Sequence, residues 1–149
     1  MTEEREYKKS EEQLAEIYRN CQLAIQSISD VLPEVDDEEL KEEIARQHEE
    51  YEKISAKAAT LAKDKALKIK EPNPVKKAMM WSSIKMNTLT NNSRSHIADM
   101  MIQGTVMGLT SLKTSYGERP ENDDEEISSL MRELIAAEEN FEKRLKEYL

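Results

Sequence analysis

Five polar side chains interrupt the apolar stripes of this sequence where a purely structural helix bundle would carry leucine or isoleucine. They are Cys21, Gln47, Ser93, His96 and Glu138. Imidazole, thiolate and carboxylate groups bind transition metals, and imidazole and carboxylate groups also transfer protons. Buried polar groups need hydrogen-bonding partners, so we expect these side chains to meet at one level of the fold. The predicted polar core layer comprises Cys21, Gln47, Tyr51, Ser93, His96 and Glu138.

Two interpretations of this layer remain open. In the first, the layer holds an iron, zinc or manganese ion through His96 and Glu138, with Cys21 and Tyr51 as weaker ligands. In the second, no cofactor is present: His96 is a hydrogen-bonded core histidine and Cys21 is a small apolar side chain. We expect the second arrangement and keep the metal site as the alternative.

Sequence motifs for other catalytic chemistry are missing. The chain has no Gly-rich phosphate loop, no Cys-x-x-Cys pair, no nucleophile elbow and only two histidines. Cys21, His96 and Glu138 have the residue types of a nucleophile, a base and an orienting acid, but a narrow bundle core offers a substrate no cleft. We therefore expect a non-catalytic protein.

Prolines divide the 149 residues into four segments that could position these side chains. The breaks lie at Pro33, at Pro72 with Pro74, and at Pro120 near Gly117. Within each segment, apolar residues recur every three or four positions, which is typical of amphipathic helices. The sequence predicts one all-α domain over 1–149, an antiparallel up-down-up-down four-helix bundle with helices at 3–31, 36–70, 74–115 and 121–148.

The overall composition excludes several classes of partner. With 31 acidic and 22 basic residues the net charge is −9, which argues against binding to nucleic acid. No run of 18 uncharged apolar residues could span a membrane. The single cysteine excludes an internal disulfide and fits a reducing compartment, and the first residues have no apolar leader. We expect a cytoplasmic protein.

The third segment differs from the others in charge and in apolar content. Between residues 72 and 117 the only acid is Asp99, and six of the eight methionines lie there. Its carboxyl half is apolar on more than one face, which indicates a surface that another molecule covers. We expect a homodimer through this surface, with a helical protein partner or the chain itself as alternatives. The predicted interface comprises Met101, Ile102, Gly104, Val106, Gly108, Leu109 and Leu112.

Three stretches resemble the ferritin-like superfamily. They are Gln47-His48-Glu49-Glu50-Tyr51, the segment 95–104 and the pair Glu138-Glu139. The resemblance covers nearly the whole chain as architecture, and it is closest to small bacterial bundles that lack a full di-iron motif. It implies a ferritin-like bundle in which His96 and Glu138 are the positions that retain a ligand role.

The sequence departs from the di-iron pattern of that superfamily. Its di-iron members carry a Glu on each of two helices and a Glu-x-x-His motif on each of the other two. Here Ala45 stands three residues before His48 and Ser93 stands three before His96, so neither histidine completes the motif. We therefore expect a bacterial ferritin-like bundle that acts as a binding or assembly protein and self-associates through its third helix. The alternative is a metal-binding member.

Overall fold

A computed structural model describes residues 3–149, apart from the side chains of Glu3, Glu6, Leu89 and Thr90. The predicted all-α class is confirmed, since the described residues contain no strand. Residues 1 and 2 of the predicted domain lie outside this range. The five helices are α1 Glu3–Val31, α2 Glu38–Asp64, α3 Pro74–Thr90, α4 Arg94–Gly117 and α5 Glu125–Leu145. Short 3₁₀ turns follow α1 at Leu32–Glu34 and α5 at Lys146–Tyr148.

The predicted continuous helix over 74–115 is wrong, because residues 91–93 divide it into α3 and α4. Asn91 has an extended backbone, and its side-chain oxygen accepts a hydrogen bond from the Ser93 amide at 2.9 Å. Ser93 is the N-cap of α4, and its hydroxyl accepts from the His96 amide at 3.3 Å. Asparagine and serine side chains compete with backbone hydrogen bonding in this way, so they end one helix and begin the next.

The second predicted helix, 36–70, starts two residues too early and ends six too late, because α2 spans Glu38–Asp64. Ala66 takes the left-handed conformation with φ of 54°. The amides of Ala66 and Leu67 return to the carbonyls of Lys63 and Ala62 at 3.3 and 2.8 Å. This is a Schellman motif, which satisfies the last carbonyls of the helix and redirects the chain.

The fourth predicted helix, 121–148, is shorter in the structure, where α5 spans Glu125–Leu145. It begins later because the Asp124 side chain accepts hydrogen bonds from the amides of Glu126 and Ile127. An aspartate in this position caps the helix, and its negative charge interacts favourably with the positive end of the helix dipole. The first helix has the predicted bounds.

A common apolar core joins α1, α2, α4 and α5. Helix α1 packs against α2 and α4, and α5 packs against the same two helices from the other side. Helix α3 lies outside this group and packs mainly along α1. The largest fully buried side chains of the core are Leu14, Ile17, Ile28, Leu40, Ile44, Ile54, Ile97, Leu112, Ile127, Met131, Leu134 and Phe141.

Contacts between helix ends show that α2 and α5 are antiparallel. Near the start of α2, Glu43 accepts a hydrogen bond at 2.9 Å from Arg144 in the last turn of α5. Just after the end of α2, Lys65 pairs at 2.9 Å with Asp124, the N-cap of α5. The two helices therefore run in opposite directions along their whole contact.

Helix α4 runs in the same direction as α2. Arg94 at its start lies 3.8 Å from Asp37, the N-cap of α2. Near its end, the Ser115 carbonyl accepts from Gln13 of α1 at 3.5 Å. The segment 65–93, which contains α3, therefore returns the chain to the end at which α2 begins. The predicted order, in which each consecutive helix reverses direction, does not hold, because residues 74–90 form a connection rather than part of a bundle helix.

Three of the seven predicted interface residues on the third helix are internal. Met101, Leu109 and Leu112 are buried in the core of the chain itself, because α4 is a bundle helix with its own neighbours. Of the remaining predicted interface residues, Gly104 and Val106 are exposed, and Ile102 and Gly108 are half-buried. No helix of the described residues combines the length and the apolar content that crossing a membrane requires.

Candidate ligand cavity

A cavity of about 530 Å³ lies where all five helices approach one another. Asn20 of α1, Gln47 and Tyr51 of α2, Met80 of α3 and Glu138 of α5 line it. Helices α1 and α4 contribute most of its wall, from Glu16 to Ile28 and from Met100 to Ser111. The cavity brings a few polar side chains together with a predominantly apolar surface.

The cavity exists because α4 presents small side chains to it. Gly104, Thr105, Gly108 and Ser111 recur at helical spacing along the lining. A Cβ atom added at Gly104 would meet no neighbouring atom within 4 Å, so the space in front of this residue is open. Gly104 thus leaves open space along the lining, and the contact between copies that the sequence suggested at this spacing stays a prediction.

Glu138 is the chemically distinctive residue of the cavity. Its side chain is only 1% exposed, and its Oε2 atom has no hydrogen-bonding partner within the described part of the chain. Burial raises the pKa of this carboxyl group from 4.5 to about 8, and a hydrogen bond from Tyr51 opposes the rise only in part. The carboxyl group is therefore mainly neutral at pH 7.

Cys21 and Tyr51 flank this carboxyl group and are held in their neutral forms. Burial raises the pKa of the Cys21 thiol well above its ordinary value, and the nearby Glu138 adds to the shift. The pKa of Tyr51 rises for the same two reasons, burial first. A dry thiol with a raised pKa forms little thiolate and is a poor nucleophile.

Gly108 allows two polar groups to reach the same place on α4. A Cβ atom at this position would lie 2.8 Å from Nδ2 of Asn20 and 3.2 Å from Oε2 of Glu138. Any other residue would therefore displace at least one of these side chains. The glycine lets the Asn20 amide and the unpartnered Glu138 oxygen converge beside the helix backbone.

The structure assembles four residues of the predicted polar layer and separates two. Cys21, Tyr51 and Glu138 interact, and Gln47 lines the same cavity while donating to Glu43 at 2.9 Å. Ser93 and His96 lie instead at the first turn of α4. His96 precedes Gly108 by twelve residues, which places it roughly 18 Å further along the helix axis. The predicted layer fails there because α4 begins at Arg94, so its middle lies near Thr105.

The metal interpretation accordingly loses its leading ligand. Cys21, Tyr51 and Glu138 remain close together, but His96 does not join them. No group of three or more His, Cys, Asp and Glu residues in the part of the chain that the structure describes could hold a metal ion. Metal binding stays a prediction that rests on the three remaining residues.

Sequence reasoning missed Asn20 and Met80 as cavity residues. Asn20 precedes Cys21 but lies off the apolar stripe of α1, so its sequence context resembled an ordinary surface position. Met80 belongs to α3, whose position outside the bundle was not predicted. The small residues of α4 were the available signal, because several of them at helical spacing leave volume that neighbouring helices do not fill.

Known proteins provide no match for this chain. No protein-family model matches it, and neither a curated protein nor a solved structure matches at a significant level. The residues and their geometry therefore carry the functional argument.

The raised pKa of Glu138 predicts a specific pH dependence of stability. The folded protein keeps this proton up to about pH 8, whereas the unfolded chain releases it near 4.5. The neutral group therefore stabilises the fold fully below pH 4.5, and this contribution is lost as the pH rises to 8. Relative to Glu138→Gln, the wild-type free energy of unfolding should fall by roughly 4–5 kcal/mol across this window. Urea unfolding of both proteins measures the difference, and parallel pH profiles would contradict the assignment.

The two cavity glycines predict different responses to the same substitution. Gly104→Ala should raise the free energy of unfolding by roughly 0.5–1 kcal/mol, because alanine favours the helix and its methyl group enters open space. Gly108→Ala gains the same helix propensity but forces Asn20 and Glu138 apart. It should therefore be less stable than Gly104→Ala. Equal gains in urea unfolding would show that the two side chains do not crowd Gly108.

Proposed function

We propose that this protein is a non-catalytic, ferritin-like helical bundle that binds a small, mainly apolar molecule in its cavity. The observation that carries the proposal is the Glu138 carboxyl group, which is 1% exposed, lines the cavity and has an oxygen without a partner in the described residues. Leaving such a group unsatisfied costs about 1–3 kcal/mol. An unsatisfied buried group requires an explanation, and a bound molecule that hydrogen-bonds to it provides one.

The helix arrangement supports the ferritin-like part of the proposal. Helices α1 and α2 form one antiparallel pair, and α4 and α5 form another. The long segment 65–93 joins the two pairs across the bundle. One long crossover between helix pairs is the connectivity of ferritin-like folds, whose ligand sites lie in the bundle core.

The cavity has the size and the lining of small-molecule sites. Such sites usually enclose about 300–1,000 Å³ and combine an apolar wall with a few placed polar groups. Here the volume is about 530 Å³, and methionines and small residues surround Glu138, Gln47 and Asn20. The neutral forms of Cys21 and Tyr51 and the distance to His96 leave no activated nucleophile beside a base, which favours binding over catalysis.

Filling the cavity provides the test of this function. Gly104→Phe places a ring in the open space of the lining, whereas Gly117→Phe, which also meets no neighbour within 4 Å, lies outside the cavity. We expect diphenylmethane to bind the wild-type protein and Gly117→Phe equally in saturation-transfer NMR. Its affinity for Gly104→Phe should fall at least about tenfold, the equivalent of 1.4 kcal/mol. No binding to the wild type, or equal binding to both variants, would contradict the proposal.

An exposed apolar stripe on α3 supports self-association as a second function. Val75, Met79 and Met86 are 66%, 68% and 72% exposed and lie on one side of the helix, opposite the buried Ile84. A two-fold axis would bring this stripe against the same stripe of a second copy and cover it. The proposed homodimer thus uses α3 rather than the carboxyl half of α4.

Light scattering tests the homodimer directly. The wild-type protein should have the mass of a dimer, and Met79→Glu should yield a folded monomer because it places a charge in the apolar stripe. Ser129→Glu, at an exposed position of α5, is the matched control and should remain dimeric. A wild-type monomer at high micromolar concentration would overturn the homodimer and leave a helical protein partner as the remaining expectation.

A further inference from the structure

The hydrogen bonds of Glu138 indicate what the buried end of the cavity would bind. The Tyr51 hydroxyl donates to the carboxyl group, and Oε2 has no partner in the part of the chain described. A neutral carboxyl group has one O–H donor. Because Tyr51 supplies a donor to this group, the unpartnered oxygen is suited to carry the proton and to donate it to a bound molecule.

Asn20 places a second donor beside the first. Its Nδ2 atom and Oε2 of Glu138 lie 2.8 and 3.2 Å from the same point, the missing Cβ of Gly108. Because 2.8 and 3.2 Å add to 6.0 Å, the two atoms are at most 6.0 Å apart, so one ligand oxygen with two lone pairs could lie within hydrogen-bonding distance of both. A carbonyl oxygen has this capacity and needs no proton of its own.

The charges around the cavity favour an uncharged ligand. Apart from Glu138, its charged lining residues are Glu16, Arg19 and Lys76. Arg19 and Lys76 are exposed, and Glu16 pairs with Arg19 and accepts from Ser111 at 2.6 Å. The buried end therefore offers no cation to neutralise an anionic ligand. An ammonium ligand would require two charges to lose their hydration among methionine side chains.

The wall of the cavity favours a molecule with rings. Met80 of α3 and Met100, Met101 and Met107 of α4 contribute four thioether side chains to the lining. Methionine adapts its shape to irregular ligands, and its sulfur makes favourable contacts with aromatic rings. Four such side chains provide an apolar surface on which an aromatic body can pack.

We infer that the cavity selects an uncharged aromatic compound whose carbonyl oxygen accepts hydrogen bonds from Glu138 and Asn20. Its rings lie against the methionines of α3 and α4. This inference rests on the proposed small-molecule function and specifies the class of ligand that the same cavity takes.

Three probes of similar shape test the class of ligand. Benzophenone has a carbonyl group, diphenylmethane has no polar group, and diphenylmethylamine has an ammonium group at pH 7. We expect benzophenone to bind the wild-type protein at least about tenfold more tightly than either of the other two. One good hydrogen bond to a buried donor accounts for a difference in affinity of this size. The carbonyl stretch of bound benzophenone should move to lower wavenumber, which reports the hydrogen bond itself.

Variants separate recognition from folding. Tyr51→Phe combined with Glu138→Met removes both members of the buried hydrogen bond, so neither is left without a partner. This double variant should still bind diphenylmethane but should lose both the preference for benzophenone and the shift of its carbonyl stretch. Glu139→Gln, at the exposed neighbour of Glu138, is the matched control and should behave as the wild type. If the double variant does not fold, the three affinities and the carbonyl stretch of the wild-type complex decide the question.

The outcomes distinguish this inference from the proposed function. If no probe binds the wild-type protein, both are wrong. If benzophenone and diphenylmethane bind equally and the carbonyl stretch does not shift, the cavity binds small molecules but the inferred class of ligand is wrong. Tighter binding of diphenylmethylamine would overturn the inference in favour of a cationic ligand.

Discussion

The burial of the Glu138 carboxyl group is the constraint on which the functional account depends. A charged carboxylate at this depth would lose its hydration without a compensating cation, so the group keeps its proton near neutral pH. Tyr51 donates a hydrogen bond to this neutral group, and the side chain of Asn20 lies beside the same glycine, Gly108. An apolar residue at position 138 would fill the core at lower cost. A polar group that persists in such a place is more readily explained by recognition of a ligand than by stability.

The small residues of α4 make this burial compatible with an accessible cavity. Gly104 and Gly108 face the cavity formed with α1, where larger side chains would close it. Helix α3 adds Met80 to the lining and exposes its own apolar stripe on the opposite side. The same connecting segment therefore contributes to the proposed ligand site and to the proposed homodimer. A bound molecule that contacts Met80 would couple the two, because it would stabilise the position of α3 against the bundle.

The sequence predicted the helical class and the bounds of the first helix because periodicity and proline breaks report local structure directly. It also identified Cys21, Gln47 and Glu138, which interrupt apolar stripes, and Tyr51, which lies on one, since the register of these helices was right. It failed at Ser93 and His96. Hydrogen bonds of the Asn91 and Ser93 side chains end α3 and begin α4, and the periodicity of apolar residues does not reveal them. This one break moved α3 out of the bundle and shifted the level of every residue on α4. Asn20 could not be predicted, because its role depends on the distance to Gly108 in the folded chain.

The central claim is that Glu138 is a neutral, buried hydrogen-bond donor rather than an ionised surface acid. Carbon-13 NMR of the side-chain carboxyl groups, assigned with Glu138→Gln, follows the protonation of this residue in the folded protein. The account predicts a single titration of Glu138 with a midpoint near pH 8. A midpoint for Glu138 near its ordinary value of 4.5 would contradict the account.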